Sequence, residues 1–371
     1  MSRNLLMPGD PAPWFKAPSN VNPDFDFASA AGRYIVMSFL GPCGMPVAAA
    51  LHDALLAEAA VFAHPDRYLF CVTLGRREDH AQSSLAERRP GMDTFWDDGR
   101  ISRLYGALPH DAAGGDFTPV TCLLGLDLRV LAVARHPDPA EQARTILGAL
   151  RRLGPLGEPH PGGVQAPVLI LPDVFEPALC RQLIDGYEAH GGTESGFMRE
   201  RDGKTVLVLD HQHKRRSDWT IEDESLRETL RRRVLRRIVP EIRRAFQFEV
   251  TRMERYIVAC YDAAVGGYFQ PHRDNTTKGT AHRRFAVTIN LNTEAYEGGA
   301  LMFPEYGRAA YRPPAGGAAV FSCGLLHQAL PVTRGKRYAF LPFLYDDAAA
   351  QIREANNAYL GENVAAYRPQ G

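Results

Sequence analysis

The sequence predicts two domains: an α/β domain with mixed strands, then a mainly β domain supported by helices. The length of 371 residues exceeds what one hydrophobic core usually serves. Residues 154–167 hold four prolines and four glycines, a composition typical of interdomain linkers. Strand and helix patterns alternate before this segment, whereas short strands dominate after residue 250. We therefore predict domains at 1–153 and 167–371, joined by a linker at 154–166.

Composition is that of an ordinary soluble protein. Apolar residues make up 45% and charged residues 23%, and the formal net charge is zero. No bulk field therefore attracts the chain to nucleic acid or to anionic membranes. The six cysteines form no C-x-x-C pair, and the first residues lack the pattern of a signal peptide. We expect a cytoplasmic protein with neither nucleic acid nor membrane among its partners.

The elements of the first domain follow in a regular order. The pattern predicts a strand, a helix, a strand, a short helix, a hairpin and a closing helix capped by Asp138. Such an order is typical of an α/β domain with mixed strands. The segments are "RYIVMSFL", "VAAALHDALLAEAAVFA", "RYLFCVTL", "GRISRLYGAL", "PVTCLLGLD" with "RVLAVARH", and "DPAEQARTILGALRRLG".

The second domain begins with helices and continues with strands. A short strand precedes an amphipathic helix, and a second helical stretch is bent or divided near Pro240. Strands separated by Gly and Pro then suggest a sandwich or a barrel-like double sheet. These strands are "RYIVACY", "RFAVTINLN", "GALMFPEY", "AAVFSCG" and "RYAFLPFLY".

Three residues of the second domain could bind one metal ion. His272 and Asp274 are two positions apart, so in extended chain both side chains point to the same side. His327 follows 53 residues after Asp274, at the edge of another predicted strand. Two imidazoles and one carboxylate suit an octahedral iron(II) with open positions, and equally a zinc ion with an open site. These ligands alone do not choose between the two metals.

Arg337 favours iron. It lies ten residues after His327, on the strand that His327 leads into. A guanidinium facing inward is costly to bury unless an anion pairs with it. A dicarboxylate that chelates the metal at one end would supply that anion at the other.

These segments resemble a known family. "ACYDAAVGGYFQPHRDN", "EGGALMFPE" and "HQALPVTRGKR" together resemble the iron(II)/2-oxoglutarate-dependent dioxygenases of the prolyl 4-hydroxylase-like branch, over roughly residues 167–347. The resemblance implies a double-stranded β-helix, or jelly roll, with His272, Asp274 and His327 as iron ligands. It also implies that Arg337 and Tyr261 bind 2-oxoglutarate, with Asn290 in the same cavity. Lys336 is the alternative basic residue at this position.

The function that the resemblance implies is hydroxylation of an unactivated C–H bond, with release of succinate and CO2. The implied cofactors are Fe(II), 2-oxoglutarate and O2, with ascorbate as a further candidate. A prolyl, peptidyl or amino-acid-like substrate is compatible with the sequence. By the same resemblance Arg216 and Trp219 are substrate-side candidates. His211 and His213 share the i, i+2 spacing, but no third ligand lies near them in the sequence.

The first domain resembles the peroxiredoxin branch of the thioredoxin fold, over about residues 6–153. "PGDPAPWF", "FWDDGRISRLYGA" and "TPVTCLLGLDLRVLAV" carry this resemblance. It places Thr118-Pro119 where such folds hold a cis-proline. The reactive positions depart from the pattern: "LGPC" has Leu40 where a thioredoxin has its attacking cysteine, and no peroxidatic cysteine follows Pro42 at the usual distance. We therefore expect a redox-degenerate domain that serves packing, substrate capture or dimerisation.

Two other functions remain as alternatives. In one, Cys43 acts as a monothiol nucleophile and the chain is a thiol redox protein. In the other, the second domain binds iron and 2-oxoglutarate as a non-catalytic sensor. A homodimer is compatible with either.

Overall fold

The computed structural model describes residues 5–42, 44–80, 84–109, 117–156 and 163–367. The chain divides into two compact units, Met1–Pro159 and His160–Gly371. The division falls inside the segment that the sequence predicts as a linker. Cys43, the residue of the thiol alternative, lies outside the described residues. No helix of the described residues combines the length and the apolar character that a bilayer crossing requires.

The first unit is built on a five-stranded mixed sheet in the order β5-β4-β3-β6-β7. Strand β3 pairs parallel with β4 and antiparallel with β6. Strand β4 matches the predicted segment in full, whereas the predicted first helix is divided into α1 and a 3-10 helix at Ala59–Ala63. The elements are β1 Lys16–Ala17, β2 Phe25–Asp26, β3 Tyr34–Pro42, α1 Pro46–Leu56, β4 Arg67–Leu74, β5 Met92–Asp97, α2 Arg100–Leu104, β6 Val120–Leu124, β7 Val130–Ala134 and α3 Pro139–Arg151.

Caps and aromatic packing hold this unit together. The Asp138 side chain accepts a hydrogen bond from the Ala140 amide, which confirms the predicted cap of α3. Phe15, Phe27 and Phe95 form one aromatic core on one side of the sheet, with ring centroids 4.8–6.4 Å apart. All peptide bonds of the described residues are trans, so the expected cis-proline at Pro119 is not found.

The second unit consists of antiparallel strands and supporting helices. Helix α5 is capped by the Asp223 side chain and ends just before α6, so the predicted division near Pro240 is confirmed. The helices are α4 Pro177–His190, α5 Glu224–Arg237, α6 Val239–Phe246 and α7 Asp347–Ala355. The strands are β8 Leu169–Leu171, β9 Thr193–Glu194, β10 Phe197–Arg201, β11 Lys204–Val208, β12 Lys214–Arg215, β13 Ser217–Thr220, β14 Arg252–Glu254, β15 Ile257–Asp262, β16 Tyr268–His272, β17 Phe285–Asn290, β18 Glu297–Gly298, β19 Leu301–Met302, β20 Ala310–Tyr311, β21 Ala318–Ser322, β22 His327–Ala329, β23 Val332–Arg334, β24 Lys336–Phe340 and β25 Phe343–Tyr345.

Two of its sheets face each other. The major sheet has nine strands, with β14-β25-β17-β24-β15-β13-β9 in order and β21 and β8 attached through β17. The minor sheet has the order β12-β16-β22-β19-β20. One hydrophobic cluster joins Ala259 and Tyr261 of the major sheet to Phe269 and Ala329 of the minor sheet. This cluster shows that the two sheets pack face to face.

Strand alternation decides which residues enter the space between the sheets. On β15, Val258 and Cys260 belong to the core that packs against the helices, whereas Ala259 and Tyr261 belong to the inter-sheet cluster. Because side chains alternate along a strand, a polar residue at an inward position is aimed at the cavity. Arg337, directly opposite Tyr261 on β24, occupies such a position.

Candidate metal centre

The minor sheet brings the three predicted ligands together. His272 and His327 are opposite each other in the register of β16 and β22. Asp274 lies two residues beyond the end of β16, where its amide donates to the Cys323 carbonyl at 3.0 Å. One ligand atom from each of the three residues lies within 4.8 Å of the other two. They are the one group of potential ligands of this kind among the residues that the structure describes.

Hydrogen bonds to the backbone orient both imidazoles. Nδ1 of His272 lies 2.7 Å from the Gln270 carbonyl, and Nδ1 of His327 lies 3.0 Å from the Leu325 carbonyl. A carbonyl can only accept, so each Nδ1 carries the proton and each Nε2 keeps its lone pair. These Nε2 atoms are 3.6 and 3.4 Å from the two carboxylate oxygens of Asp274. Backbone bonds of this kind fix the tautomer that a metal-ligating histidine requires.

Electrostatics keep His272 and Asp274 in their metal-binding protonation states. Burial and the neighbouring His327 imidazole lower the pKa of His272 to about 3, so this imidazole is neutral near pH 7. Burial alone would raise the pKa of Asp274, but His327, His272 and the guanidinium of Arg283 bring it below its usual value. A neutral imidazole and an ionised carboxylate are the forms that bind a divalent cation. The residues therefore fit a resident metal ion.

A cavity of about 1050 Å³ opens beside the triad, at the upper end of the sizes usual for ligand sites. His272, Asp274, His327, Tyr261 and Arg337 all line it. The cavity therefore has room for a second molecule beside a metal-bound cosubstrate.

Arg337 is buried in this cavity and has no acidic partner in the part of the chain that the structure describes. Its side chain is 2% exposed, and its Nε and Nη2 donate to the Asn290 side-chain oxygen at 3.4 and 3.3 Å. Its Nη1 has no hydrogen-bond partner among the described residues. The guanidinium lies 5.1 Å from the ring centroid of Tyr261. A buried cation in this state fits a bound carboxylate.

The other candidates are divided between the cavity and its surroundings. Asn290 does not line the cavity; it supports Arg337 and donates to the Pro313 carbonyl at 3.0 Å. Lys336 points elsewhere and pairs with Glu188. Trp219 packs against Gly186 of α4 and lies outside the cavity.

Arg216 and His213 do line the cavity. His211 instead pairs with the Glu194 carboxylate. Sequence reasoning missed Lys214, Arg255 and Glu254, which also line the cavity, because no motif marks them.

The ligand set and the antiparallel sheets together have the form of a 2-His-1-carboxylate metal centre. Residues 256–345 match the model of the 2OG-Fe(II) oxygenase superfamily. This match confirms the predicted resemblance for the C-terminal region.

Two curated relatives match part of the chain. They are PKHD-type hydroxylases of Synechococcus sp. strains JA-2-3B'a(2-13) and JA-3-3Ab, each 32% identical over 89 residues. The matched part is 22% of this chain and 39% of each relative. The chain thus spans about two fifths of the length of these relatives.

Solved structures similar to this chain cover either half. A prolyl hydroxylase from Trichoplax adhaerens, in complex with a hypoxia inducible factor peptide fragment, is 17% identical with a TM-score of 0.38. The match covers 50% of this chain and 86% of that one. Peroxidoxin BcpB from Mycobacterium tuberculosis is 16% identical with a TM-score of 0.35, over 40% of this chain and 99% of that one.

Proposed function

We propose that the C-terminal unit is an Fe(II)- and 2-oxoglutarate-dependent hydroxylase. The observation that carries this proposal is Arg337, a buried guanidinium without a carboxylate partner in the same cavity as two imidazoles and a carboxylate. A hydrolytic zinc site would need the three ligands but not this cation. A cosubstrate with two carboxylates explains both features at once.

The proposal assigns a task to each residue of the site. His272, Asp274 and His327 would hold the iron, with both imidazoles oriented by hydrogen bonds to backbone carbonyls. Arg337 would bind the far carboxylate of 2-oxoglutarate, and the Tyr261 hydroxyl beside it would donate a further hydrogen bond. When bound, Fe(II), 2-oxoglutarate and O2 supply the oxidising power for hydroxylation of a C–H bond, with succinate and CO2 as co-products.

Two finer assignments belong to the same proposal. The two facing antiparallel sheets would form a double-stranded β-helix, with the metal ligands on the minor sheet. The substrate would be a prolyl, peptidyl or amino-acid-like molecule. Ascorbate and a homodimer remain predictions from the sequence.

The experiment adds Fe(II) and then 2-oxoglutarate to the protein without oxygen, and follows the visible charge-transfer band of the chelate. We expect the band in the wild type and none in Asp274→Ala. Arg337→Gln should need about ten to a hundred times more 2-oxoglutarate, because charged hydrogen bonds contribute about 1.5–3 kcal/mol each. Arg334→Gln, which removes an exposed arginine paired with Glu297, should behave like the wild type.

Other outcomes would favour the alternatives. Absence of the band under saturating iron would contradict the proposal and turn attention to zinc and to Cys43. A normal band without succinate formation in air, for any tested substrate, would favour the non-catalytic sensor. Thiol-dependent turnover that is lost in Cys43→Ser and survives in Asp274→Ala would favour the redox protein.

A further inference from the structure

The cavity contains more positive charge than the proposed cosubstrate can neutralise. Eight arginines and lysines line it, but only four aspartates and glutamates do. Fe(II) and Arg337 would be balanced by Asp274 and the two carboxylates of 2-oxoglutarate. The remaining cations must therefore find partners elsewhere.

Most of them do. Arg216 forms a bidentate pair with Asp218, both contacts at 2.7 Å. Glu254 forms ion pairs with Arg283 at 2.8 Å and with Arg353 at 2.6 Å. Arg273 pairs with Glu305 at 2.6 Å, and Arg199 is exposed on the hairpin of β10 and β11. Lys214 and Arg255 remain, and neither forms an ion pair with a described residue.

Lys214 is a buried amine whose hydrogen bonds go to neutral groups, and burial and the charge of Arg216 lower its pKa well below the usual value, a shift that a bound anion would oppose. It is 4% exposed, and its Nζ donates to the Ser195 hydroxyl at 2.7 Å and to the Gly196 carbonyl at 2.5 Å. Nζ also lies 5.1 Å from the ring centroid of Phe269, a ring that stacks on His272. An ammonium has three donors, so one remains for a ligand in the cavity beside the metal centre.

Arg255 is held at the same cavity by its backbone and by an aromatic ring. Its φ of 66° lies in the left-handed region, which is uncommon outside glycine, asparagine and aspartate. Its guanidinium lies 4.8 Å from the ring centroid of Phe343 and makes no hydrogen bond or ion pair with a described residue. Burial and the charges of Arg216 and Arg283 lower the pKa of Arg255 to about 10. Crowded cations of this kind are relieved by a bound anion.

We propose that Lys214 and Arg255 bind a carboxylate of the substrate, so that the hydroxylated molecule is anionic. This inference rests on the proposed function and names the substrate class for the same site. The two cations lie in the cavity that holds the triad, yet they belong to neither the metal ligands nor the Arg337 subsite. The two groups lie close enough for the charge of Arg255 to lower the pKa of Lys214. A carboxylate between them would accept hydrogen bonds from the ammonium and the guanidinium, and it would fix the substrate relative to the metal.

The test is a calorimetric titration of inorganic phosphate into full-length protein saturated with Ni(II) and 2-oxoglutarate. Ni(II) does not turn over, and the cosubstrate keeps Arg337 occupied. The wild type should bind one phosphate. Lys214→Met and Arg255→Asn should each weaken binding about tenfold, the loss expected for one charge-assisted hydrogen bond. Asparagine tolerates the left-handed backbone at position 255, and Arg334→Gln serves as the matched charge control.

Competition then identifies the carboxylate. N-acetylglycine displacing phosphate, with N-acetylglycinamide inactive, would support a small carboxylate substrate. Displacement by acetyl-Gly-Asp-Gly-amide as well would support an acidic peptide. Displacement by neither would overturn the assignment, as would the absence of phosphate binding or equal binding by all variants. The chelate band is measured on a parallel anaerobic sample with Fe(II) in place of Ni(II), so failure of the proposed function shows separately.

Discussion

Arg337 is the side chain of the cavity whose burial most needs an explanation. At 2% exposure it has lost nearly all its water, and Asn290 offers one neutral oxygen at long distances to two of its nitrogens. Such contacts orient a guanidinium without neutralising it, and a buried unpaired charge is costly. Asn290 would therefore be a positioning residue, since it would act on the proposed cosubstrate subsite through Arg337.

Removing the Asn290 amide should disturb that subsite alone. In Asn290→Ala we expect the 2-oxoglutarate concentration for half-maximal chelate band to rise about tenfold, because Arg337 loses its orienting acceptor. The affinity for Fe(II) without cosubstrate should not change. Titration of the band measures both quantities.

The matched control is Thr293→Val. Thr293 donates to the same Pro313 carbonyl as Asn290, at 2.8 Å, but does not contact Arg337. An equal loss of 2-oxoglutarate affinity in both variants would mean that Asn290 acts only through the fold around Pro313.

At the residue scale, sequence spacing located the groups that share a motif and missed those that do not. His272, Asp274, His327 and Arg337 lie in two short motifs, so their proximity followed from strand pairing alone. Lys214 and Arg255 lie in separate segments, and only the folded sheets place them at one cavity. Trp219, predicted on the substrate side with Arg216, lies outside the cavity, because an odd spacing turns a strand residue to the other face.

Among the elements of the second unit, Glu254 joins a strand, a loop and a helix. It ends β14, and its buried carboxylate contacts Arg283 from the loop before β17 and Arg353 from α7. His282 Nε2 lies 3.2 Å from one of the same oxygens. Burial alone would raise the pKa of Glu254, but Arg283, His282 and Arg353 lower it well below its ordinary value. The Glu254 carboxylate thus links helix α7 to the major sheet through its ion pair with Arg353.

Neutralising this carboxylate should destabilise the unit in a pH-dependent way. Glu254→Gln should lower the free energy of unfolding by about 3 kcal/mol at pH 7, because it removes the buried carboxylate that pairs with the partly buried guanidiniums of Arg283 and Arg353. A carboxyl with a depressed pKa contributes its stability above the pKa of the unfolded chain, near 4.3. The difference between variant and wild type should therefore shrink as the pH falls below about 4. Denaturant unfolding across this range measures it.

The control for Glu254 is Glu297→Gln, since Glu297 is exposed and paired with Arg334. We expect little change in the free energy of unfolding for this exposed pair, because solvent and salt screen it. A Glu254 variant as stable as the Glu297 variant at pH 7 would contradict the structural role.

The elements that sequence patterns missed have identifiable physical causes. Strand β5 is buried throughout, but it contains Asp93 and Asp97, whose partners are Tyr68 and the first amides of α2, so its pattern does not look apolar. The hairpin of β10 and β11 has no clear apolar alternation, with charged residues next to one another in β10. Its turn residues Asp202 and Gly203 both have positive φ, and this Asp-Gly pair was the signal that could have found it.

At the scale of the whole molecule, every residue that lines the cavity lies between 195 and 367. The first unit has its own cores, formed by residues before 154. The proposed iron and 2-oxoglutarate subsites therefore draw on the second unit alone. Length and composition predicted this division. No motif of the first unit indicates what that unit binds.

A fragment of residues 163–371 should retain the metal centre. We expect its chelate band to form with metal and 2-oxoglutarate affinities within about threefold of the full chain, because all the proposed ligands are present. Spectroscopic titration of fragment and full chain side by side measures this. A fragment that folds by circular dichroism but shows no band would contradict the assignment of the site to the second unit alone.

The opposition of His272 and His327 across two strands has a consequence for the making of the protein. A slip of one residue between β16 and β22 would turn one imidazole to the other face of the sheet, since side chains alternate. Metal binding stabilises only the arrangement that offers all three ligands. Uptake of the proposed ion would therefore favour the native alignment of the minor sheet, because a chain that pairs these strands one residue out of register would lose that stabilisation.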